Sequence, residues 1–348
     1  MGIDALYGGW FLGGGGGGTL EGGLQTLETA LSYGGFDVCS IEELPEDATV
    51  LTGSLVGSPS AGGNSVTGAH CSRAYELYLR HAGRAPQAII TNETGAQSIS
   101  NGWIAASANH LPVLDGACNG RAHPTGVMGA MGLDTVDAYT TVQTAVGGSG
   151  ASYLELCVLG GIESTSRMVR SASVQAGGFV TVLRNPVDAA FVRKNAALGA
   201  LSMCMETGRL LRAHEGRPDA LLSALRDALG LRVLSRGAVS DFRLECRGGF
   251  DVGSCSVGQG VRLTFWNEYM TVDRDGERMG TFPDLITLLR ADSGLPVCSA
   301  QVRDGLDAIL VKVPREKLLL GRAMLLAHLF VPCEEAVGSP IIPFVFGD

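Results

Sequence analysis

The chain is poor in lysine, in positive charge and in long apolar runs, and each shortage excludes a class of function. Of its 348 residues only three are lysines, Lys194, Lys312 and Lys317. None of them stands in a G-K-[ST] phosphate loop, so a P-loop nucleotidase is excluded. The net charge of −9 argues against nucleic acid or an anionic membrane surface as partner, since both need a basic face. We therefore expect a small-molecule partner.

The sequence has no apolar segment of about 18 residues, and its N-terminus has no basic region followed by an apolar one. Its nine cysteines are scattered, and no two have C-x-x-C spacing. This pattern is typical of a reducing compartment, where most cysteines are small buried side chains. We expect a cytoplasmic protein, without a membrane segment, that forms a homo-oligomer.

Alternating strand and helix patterns predict an α/β fold. In the N-terminal half, the apolar runs Thr49–Val56, Ala88–Thr91 and Leu111–Leu114 read as strands, and each is followed by a polar loop. Helical crossovers between successive strands imply parallel pairing, so we expect a mainly parallel sheet in this half.

The C-terminal half has a different pattern. Helical spacing covers residues 187–229, and short strands with Gly and Asp turns follow over residues 233–313. The sequence thus predicts an α/β domain over residues 1–177 that carries the ligand-site loops. The predicted C-terminal domain, residues 178–348, contains helices, a smaller β-rich unit and an apolar tail.

Glycine-rich and polar loops recur where the predicted strands end. Four such loops are present: Gly13–Gly18, Gly57–Ser60, Asn92–Gln97 and Asp115–Gly126. The C-terminal ends of parallel strands share one edge of a sheet, so we expect these loops to form one ligand site. Gly15, Gly16, Gly17 and Ser58 become candidate binding residues, although the glycine run could equally be a tight turn. No acidic residue at a suitable strand end supports a dinucleotide site, so no nucleotide cofactor is expected.

The loop after Leu114 is the densest in reactive side chains: Asp115, Cys118, Arg121 and His123. The thiol, beside an imidazole and a guanidinium, could be a nucleophile with His123 as base or acid. The same pair could bind zinc, joined by Asp115, His70 or Cys71. Cys118 could also be a small buried residue, and the sequence leaves these three interpretations open.

Other residues of these loops are candidates for substrate binding or acid–base chemistry. Arg121 could pair with a ligand carboxylate or ring carbonyl, or form an internal salt bridge. Glu93 ends a predicted strand and could be a general acid or base, or a structural carboxylate. Asn92 and Asn119 could hydrogen-bond a cyclic amide, although Asn is also a common turn residue.

Seven short stretches, in order along nearly the whole chain, resemble the S-methyl thiohydantoin desulfurase-like family. They are Leu12–Gly18, Glu43–Asp47, Val56–Pro59, Asn92–Gly95, Gly120–Pro124, Phe265–Tyr269 and Phe282–Ile286. Singly these stretches are weak signals, but together they are specific. For Trp266, Asn267 and Glu268 the pattern favours a strand-packing role.

The resemblance implies desulfurisation of a cyclic thiohydantoin, and hydantoinase- or oxoprolinase-type enzymes as partners. Two departures concern the central loop. A second Asp, common in the family two residues after the position of Asp115, is here Ala117, and the neighbouring Gly is Cys118. A Phe is common where His123 stands. If the second Asp is a metal ligand or base in the family, this chain lacks that role or fills it with Cys118 and His123.

Two classes of function follow. The first is a hydrolase that attacks the C2 carbon of a small cyclic amide or thioamide ring, with loss of sulfur or ring opening. Its catalytic candidates are Cys118, His123, Glu93 and Asp115. The second class is a non-catalytic small-molecule-binding protein, or an accessory subunit of a hydantoinase- or oxoprolinase-type enzyme.

Overall fold

Two eight-stranded sheets organise the chain in the computed structural model, which describes residues 1–57 and 66–347. The first sheet contains β1 (Val38–Cys39), β2 (Thr49–Gly57), β3 (Ala88–Thr91), β4 (Val113–Ala117), β5 (Thr141–Gly147), β6 (Leu154–Gly160), β7 (Phe179–Asp188) and β8 (Ala197–Leu198). The second contains β9 (Arg232–Arg247), β10 (Phe250–Val257), β11 (Val261–Trp266), β12 (Glu268–Arg274), β13 (Glu277–Thr281), β14 (Leu285–Arg290), β15 (Pro296–Val297) and β16 (Asp307–Val313). The helices are α1 (Gly2–Leu12), α2 (Leu20–Ser32), α3 (Gly68–Ala82), α4 (Trp103–Ala108), α5 (Ile162–Gln175), α6 (Ala189–Asn195), α7 (Ala200–Ala213), α8 (Pro218–Leu229), α9 (Val331–Val337) and α10 (Ile342–Phe346).

The first sheet has the strand order β1-β4-β3-β2-β7-β5-β6, and the short β8 pairs with β4. The pairs β1–β4, β4–β3 and β3–β2 are parallel, whereas β7, β5 and β6 continue the sheet in antiparallel pairing. The second sheet is antiparallel throughout. The predicted α/β class, with helices and a β-rich unit in the C-terminal half, is confirmed.

The central strands are buried on both faces, which explains their continuous apolar sequence. In β2, Leu51 packs into the cluster that contains α1, α3 and α7, whereas its neighbour Val50 packs into the cluster that contains α6. In β3, Ile89 likewise packs into the first of these clusters and Ile90 into the second. Successive side chains of a strand point to opposite faces, so one apolar run supplies both cores.

Three segments differ from the sequence-based expectation. The residues before the glycine run form helix α1, so Gly13–Gly18 joins two helices and does not follow a strand. Strand β4 extends to Ala117, which places Asp115 inside the strand and not in the loop. The predicted helical region 187–229 contains the end of β7, three separate helices and β8.

Strand β7 lies between β2 and β5 in the middle of the first sheet, although it falls in the predicted C-terminal domain. The boundary near residue 177 stays a prediction. At the other end of the chain, Leu329, Phe330 and Cys333 pack against Trp266 and Met270 of the second sheet. Within the described ranges, no helix is long and apolar enough to cross a membrane. Seven of the nine cysteines are buried, as expected for small apolar side chains.

Helices α1 and α7 pack so closely that their backbones touch at two glycines. A Cβ atom on Gly8 would lie 1.8 Å from the carbonyl oxygen of Cys204, and one on Gly208 would lie 1.8 Å from that of Asp4. Both obstacles are backbone atoms, which cannot move without separating the helices. Glycine is therefore required at each position.

We expect Gly8→Ala to lower the free energy of unfolding by about 1–3 kcal/mol or more, since the helix pair must shift to admit one methyl group. Gly161→Ala is the matched control, because a Cβ atom there meets only Ser164 Oγ at 3.9 Å. Denaturant unfolding of both variants checks the prediction. Equal stability of the two variants would contradict the helix contact.

Candidate active site

A cavity of about 510 Å³ lies between the two sheets and is the best candidate for a ligand site. Its walls come from the glycine run, the loop after β3, the loop after β4, helix α5, strand β7 and the β11–β12 turn. Glu93, His123, Arg184 and Glu268 are its buried ionisable residues. Ionisable groups that lie far apart along the chain, from Glu93 to Glu268, therefore share one small space.

The glycine run fixes the relative positions of the two sheets beside this cavity. Gly17 O accepts hydrogen bonds from the backbone N–H groups of Gln97 (2.9 Å) and Ser98 (3.0 Å). Gly14 O accepts from Tyr269 N at 2.8 Å, on the second sheet. A Cβ atom on Gly16 would lie 1.8 Å from Glu268 Oε1, so this glycine is needed for close approach.

Of the predicted glycines, Gly17 lines the cavity, whereas Gly15 and Gly16 lie against the side chains of Tyr269 and Glu268. Gly15 and Gly17 have φ angles of +91° and +75°, which side-chain-bearing residues rarely adopt. The run is thus a tight connection whose glycines let backbone and side chains meet, and only part of it faces the cavity.

Glu268 begins strand β12, and its carboxyl group is 1% exposed. Burial raises the pKa of Glu268 well above its ordinary value, and the nearby Glu93 raises it further. Its Oε2 atom has no hydrogen-bond partner among the described residues. The charge of Arg121 opposes these effects, but the net direction favours the protonated form of Glu268, which can donate a proton.

Glu93 and His123 form a second acid–base unit in the cavity lining. Glu93 Oε2 accepts a hydrogen bond from His123 N at 3.0 Å, and the same oxygen lies 3.3 Å from His123 Nε2. Burial lowers the pKa of His123, although the negative charge of Glu93 opposes this. The imidazole is therefore neutral near pH 7 and holds the Glu93 carboxylate in position.

Two buried arginines reach the same cavity. Arg170 of α5 donates to Gly57 O at 2.9 Å and lies 4.3 Å from the centre of the Phe250 ring. Arg184 of β7 is 2% exposed and makes no hydrogen bond or ion pair within the described ranges. The cavity lining thus includes these two guanidinium groups together with the buried carboxyl groups of Glu93 and Glu268.

Cys118 and Asp115 do not line the cavity. Cys118 is fully buried in the core cluster beside Ile90 and Leu114, and its Sγ lies 3.4 Å from Thr52 Oγ1. Burial raises the pKa of this thiol to about 11, which disfavours the thiolate. The Asp115 carboxylate accepts hydrogen bonds from Ser202 N (3.0 Å) and Ser202 Oγ (2.6 Å) in the first turn of α7. The nucleophile role of Cys118 stays a prediction, and its position favours packing.

Arg121 and Asn119 also lie outside the cavity lining. Arg121 donates to the carbonyl oxygens of Asp284 and Tyr269, and it lies 4.7 Å from the centre of the Phe282 ring. Asn119 donates to Arg121 O at 2.9 Å and accepts from Gly321 N at 3.3 Å. Both side chains tie the loop after β4 to the second sheet and the C-terminal region. Asn92, in contrast, lines the cavity, and its Oδ1 accepts from Asn101 Nδ2 at 2.8 Å.

The zinc candidates are not brought together. His70 caps helix α3, where its Nδ1 accepts from Thr67 N at 3.1 Å, and its ring lies 5.9 Å from that of Tyr153. In the part of the chain that the structure describes, no three His, Cys, Asp or Glu side chains form a group that could hold a metal ion. The remaining candidate, Ser58, lies outside the described residues.

Sequence reasoning missed Glu268 and Arg184 as site residues. Glu268 was assigned to strand packing, but the turn before it, where Asn267 has a φ of +57°, directs it into the cavity. Arg184 interrupts the apolar strand Phe179–Val187 with a charge. For Arg184, a charged residue within a mostly apolar strand was the available signal; Glu268, at the first position of β12, gave no such signal.

Comparison with known proteins covers nearly the whole chain. The family profile described as S-Me-THD-like, N-terminal domain, matches residues 3–173, and the one described as S-Me-THD-like, C-terminal domain, matches residues 162–326. A crystal structure of a protein from Chromobacterium violaceum superposes with a TM-score of 0.72 at 20% identity, over 97% of each chain. At this identity the likeness shows the fold alone. No curated protein matches the chain.

Proposed function

The chain belongs to the S-Me-THD-like family, and on that premise we propose that it hydrolyses a small cyclic thioamide or amide of the thiohydantoin type. The observation that carries the proposal is the pair of buried carboxyl groups, Glu93 and Glu268, which line one cavity but have different neighbours. Two titratable groups in unlike environments are typical of an acid and a base that act together.

Glu93 is the proposed general base. The neutral His123 imidazole and the His123 N–H group hold one of its oxygens from two sides. A water molecule beside this carboxylate can lose a proton to it and attack the C2 carbon of the ring. General base catalysis of this kind accelerates a reaction by roughly 10²- to 10⁴-fold.

Glu268 is the proposed general acid, because burial raises its pKa and so favours the protonated form. In an S-alkyl or thioxo ring, the bond between the water oxygen and C2 forms and the bond between C2 and sulfur breaks. One water proton passes to Glu93, and the Glu268 proton passes to the departing sulfur. The second water proton moves to the ring nitrogen of an S-alkyl ring, or to the sulfur of a thioxo ring. The products are the oxo ring and a thiol or hydrogen sulfide; Glu93 then releases its proton to solvent and Glu268 takes one up.

Neighbouring polar atoms can orient the ring. Ser98 Oγ is buried without a hydrogen-bond partner among the described residues and lines the cavity beside Gln97. Trp266 lines the same cavity and packs against Phe250, with the ring centres 4.9 Å apart. An apolar surface with a few polar groups is typical of sites for small ring compounds.

The test is turnover of S-methyl thiohydantoin, thiohydantoin, hydantoin and 5-oxoproline by the purified protein, followed as release of thiol or sulfide and as ring absorbance. We expect sulfur release, and we expect Cys118→Ser to retain full activity per folded molecule, since its thiol lies in the core. An inactive but folded Cys118→Ser enzyme would contradict the assignment of the chemistry to the two carboxyl groups.

A folded protein that binds these rings without turning over any of them would instead support the second class, a binding protein or accessory subunit. Addition of a hydantoinase-type enzyme to the same assay separates these two cases. An accessory subunit raises the turnover of the added enzyme, and a simple binding protein lowers it by withholding substrate.

A further inference from the structure

We propose that the cavity contains a carboxylate-binding subsite centred on Arg184, so that the ligand is a ring with an anionic carboxylate substituent. The choice of a ring compound rests on the proposed function. The subsite itself rests on the surroundings of Arg184, a residue that has no role in the proposed hydrolysis.

Arg184 is a buried cation whose side chain has no partner among residues 1–57 and 66–347. It lies in β7 between Thr52 of β2 and Gln143 of β5, in the middle of the first sheet. Its side chain lines the cavity, and its Nε atom is buried with no hydrogen-bond partner in the described part of the chain. No carboxylate lies within ion-pair distance of it there. A buried charge without a partner is strongly unfavourable, so a partner from outside is expected.

The other buried arginines all have partners. Arg121 donates to two backbone carbonyl oxygens, and Arg170 donates to Gly57 O and Gly249 O. Arg278 forms an ion pair with Asp273 at 2.7 Å. Arg184 therefore differs from the arginines that serve the fold.

The backbone around Arg184 leaves room for its planar head and for a second polar group. A Cβ atom on Gly126 would lie 2.8 Å from Arg184 Nη1 and 3.2 Å from Ser166 Oγ. That hydroxyl group is also buried, lines the cavity and has no hydrogen-bond partner within the described ranges. Two unpartnered donors thus meet beside a glycine, which is the arrangement that a carboxylate requires.

Charges around the subsite favour an anion of single charge. Burial, and then the positive charge of Arg184, lower the pKa of Arg170, and burial lowers the pKa of the Arg184 guanidinium. Glu93 supplies some compensation from beyond contact distance. A carboxylate matches the planar guanidinium with two parallel hydrogen bonds. The additional negative charge of a phosphate would instead be repelled by the Glu93 carboxylate.

The test is binding measured by calorimetry with three probes: hydantoin-5-acetate, hydantoin-5-acetamide and hydantoin. We expect the acetate to bind about 10- to 100-fold more tightly than the acetamide, since hydrogen bonds to a charged group are strong. Arg184→Gln should remove this preference, and Arg184→Lys should keep part of it. Arg262→Gln, which removes an exposed strand arginine, should change nothing.

Equal affinity of the wild-type protein for the acetate and the acetamide would overturn the subsite, and this comparison needs no variant. Tighter binding of inorganic phosphate than of hydantoin-5-acetate would also overturn it. The outcome for the proposed function is separate: a carboxylate preference without turnover refutes only hydrolysis, and turnover without a carboxylate preference refutes only the subsite. If Arg184→Gln does not fold, the Arg184→Lys variant and the wild-type comparison decide.

Discussion

Glu268→Gln is expected to abolish turnover and, at the same time, to raise the stability of the protein at neutral pH. Glutamine has nearly the shape of a protonated carboxyl group but cannot transfer its proton. The loss of general acid catalysis should lower kcat by roughly 10²- to 10⁴-fold. The variant should be more stable because burial raises the pKa of the wild-type Glu268 carboxyl group, so that its charged form is unfavourable in the folded protein. Its Oε2 atom also has no hydrogen-bond partner among the described residues.

The pH dependence gives the sign of this effect. Above about pH 4.5 the unfolded chain releases the Glu268 proton while the folded protein keeps it, so wild-type stability falls as pH rises through the folded pKa. Each unit by which the pKa is raised corresponds to about 1.4 kcal/mol. The glutamine variant lacks this loss, so its advantage over wild type should be absent at pH 4.5 and grow toward pH 8.

Denaturant unfolding at several pH values, together with kcat, checks both parts of the prediction. Glu277→Gln is the matched control, since it removes an exposed carboxylate from β13 of the same sheet. A stability difference that does not change between pH 4.5 and pH 8 would contradict the raised pKa. Full activity of Glu268→Gln would refute its role as the acid.

Glu93→Gln is expected to have the second largest effect on activity, a fall in kcat of roughly 10²- to 10⁴-fold with little change in folding at neutral pH. The amide oxygen can still accept the hydrogen bond from His123 N, so the loop should keep its shape. It cannot accept a proton from water. Glu163→Gln is the control, because it removes an exposed carboxylate at the cavity mouth.

The same variant should change the stability of the protein in acid. Burial lowers the pKa of His123, so the unfolded chain binds more protons than the folded one below about pH 6.5, and stability falls as pH falls. Glu93 raises the pKa of His123, so in Glu93→Gln this fall should extend to lower pH. Melting temperatures between pH 5 and pH 8 test this expectation, and an identical pH profile for wild type and variant would contradict the His123–Glu93 pairing.

The loop after β4 shows where sequence reasoning stopped short. Its dense chemistry predicted one catalytic cluster, but the structure directs Asp115 to α7, Cys118 into the core and Arg121 to the second sheet. Of its reactive side chains only His123 faces the cavity. Closeness in sequence places residues in one loop, but the direction of each side chain depends on what packs against it.

The predicted convergence of several loops located the cavity better than the reactive residues of the single loop after β4 did. The glycine run and the loops after β3 and β4 meet at the cavity, although the glycine run follows a helix. The loops after β3 and β4 meet there because the C-terminal ends of neighbouring parallel strands share one edge of a sheet. The loop Gly57–Ser60 belongs to this set only through Gly57, since its other residues lie outside the described ranges.

By itself the sequence determined the α/β class, the central strands and the family, because apolar periodicity and short ordered motifs depend on local residues. Tertiary structure alone decided the site. Glu268 and Arg184 come from different sheets, and the roles proposed for them rest on burial near Glu93 and on polar atoms without a partner in the described part of the chain. Burial and hydrogen-bond partners depend on how segments far apart in the chain pack together. The local sequence around a residue does not show which distant segments will contact it.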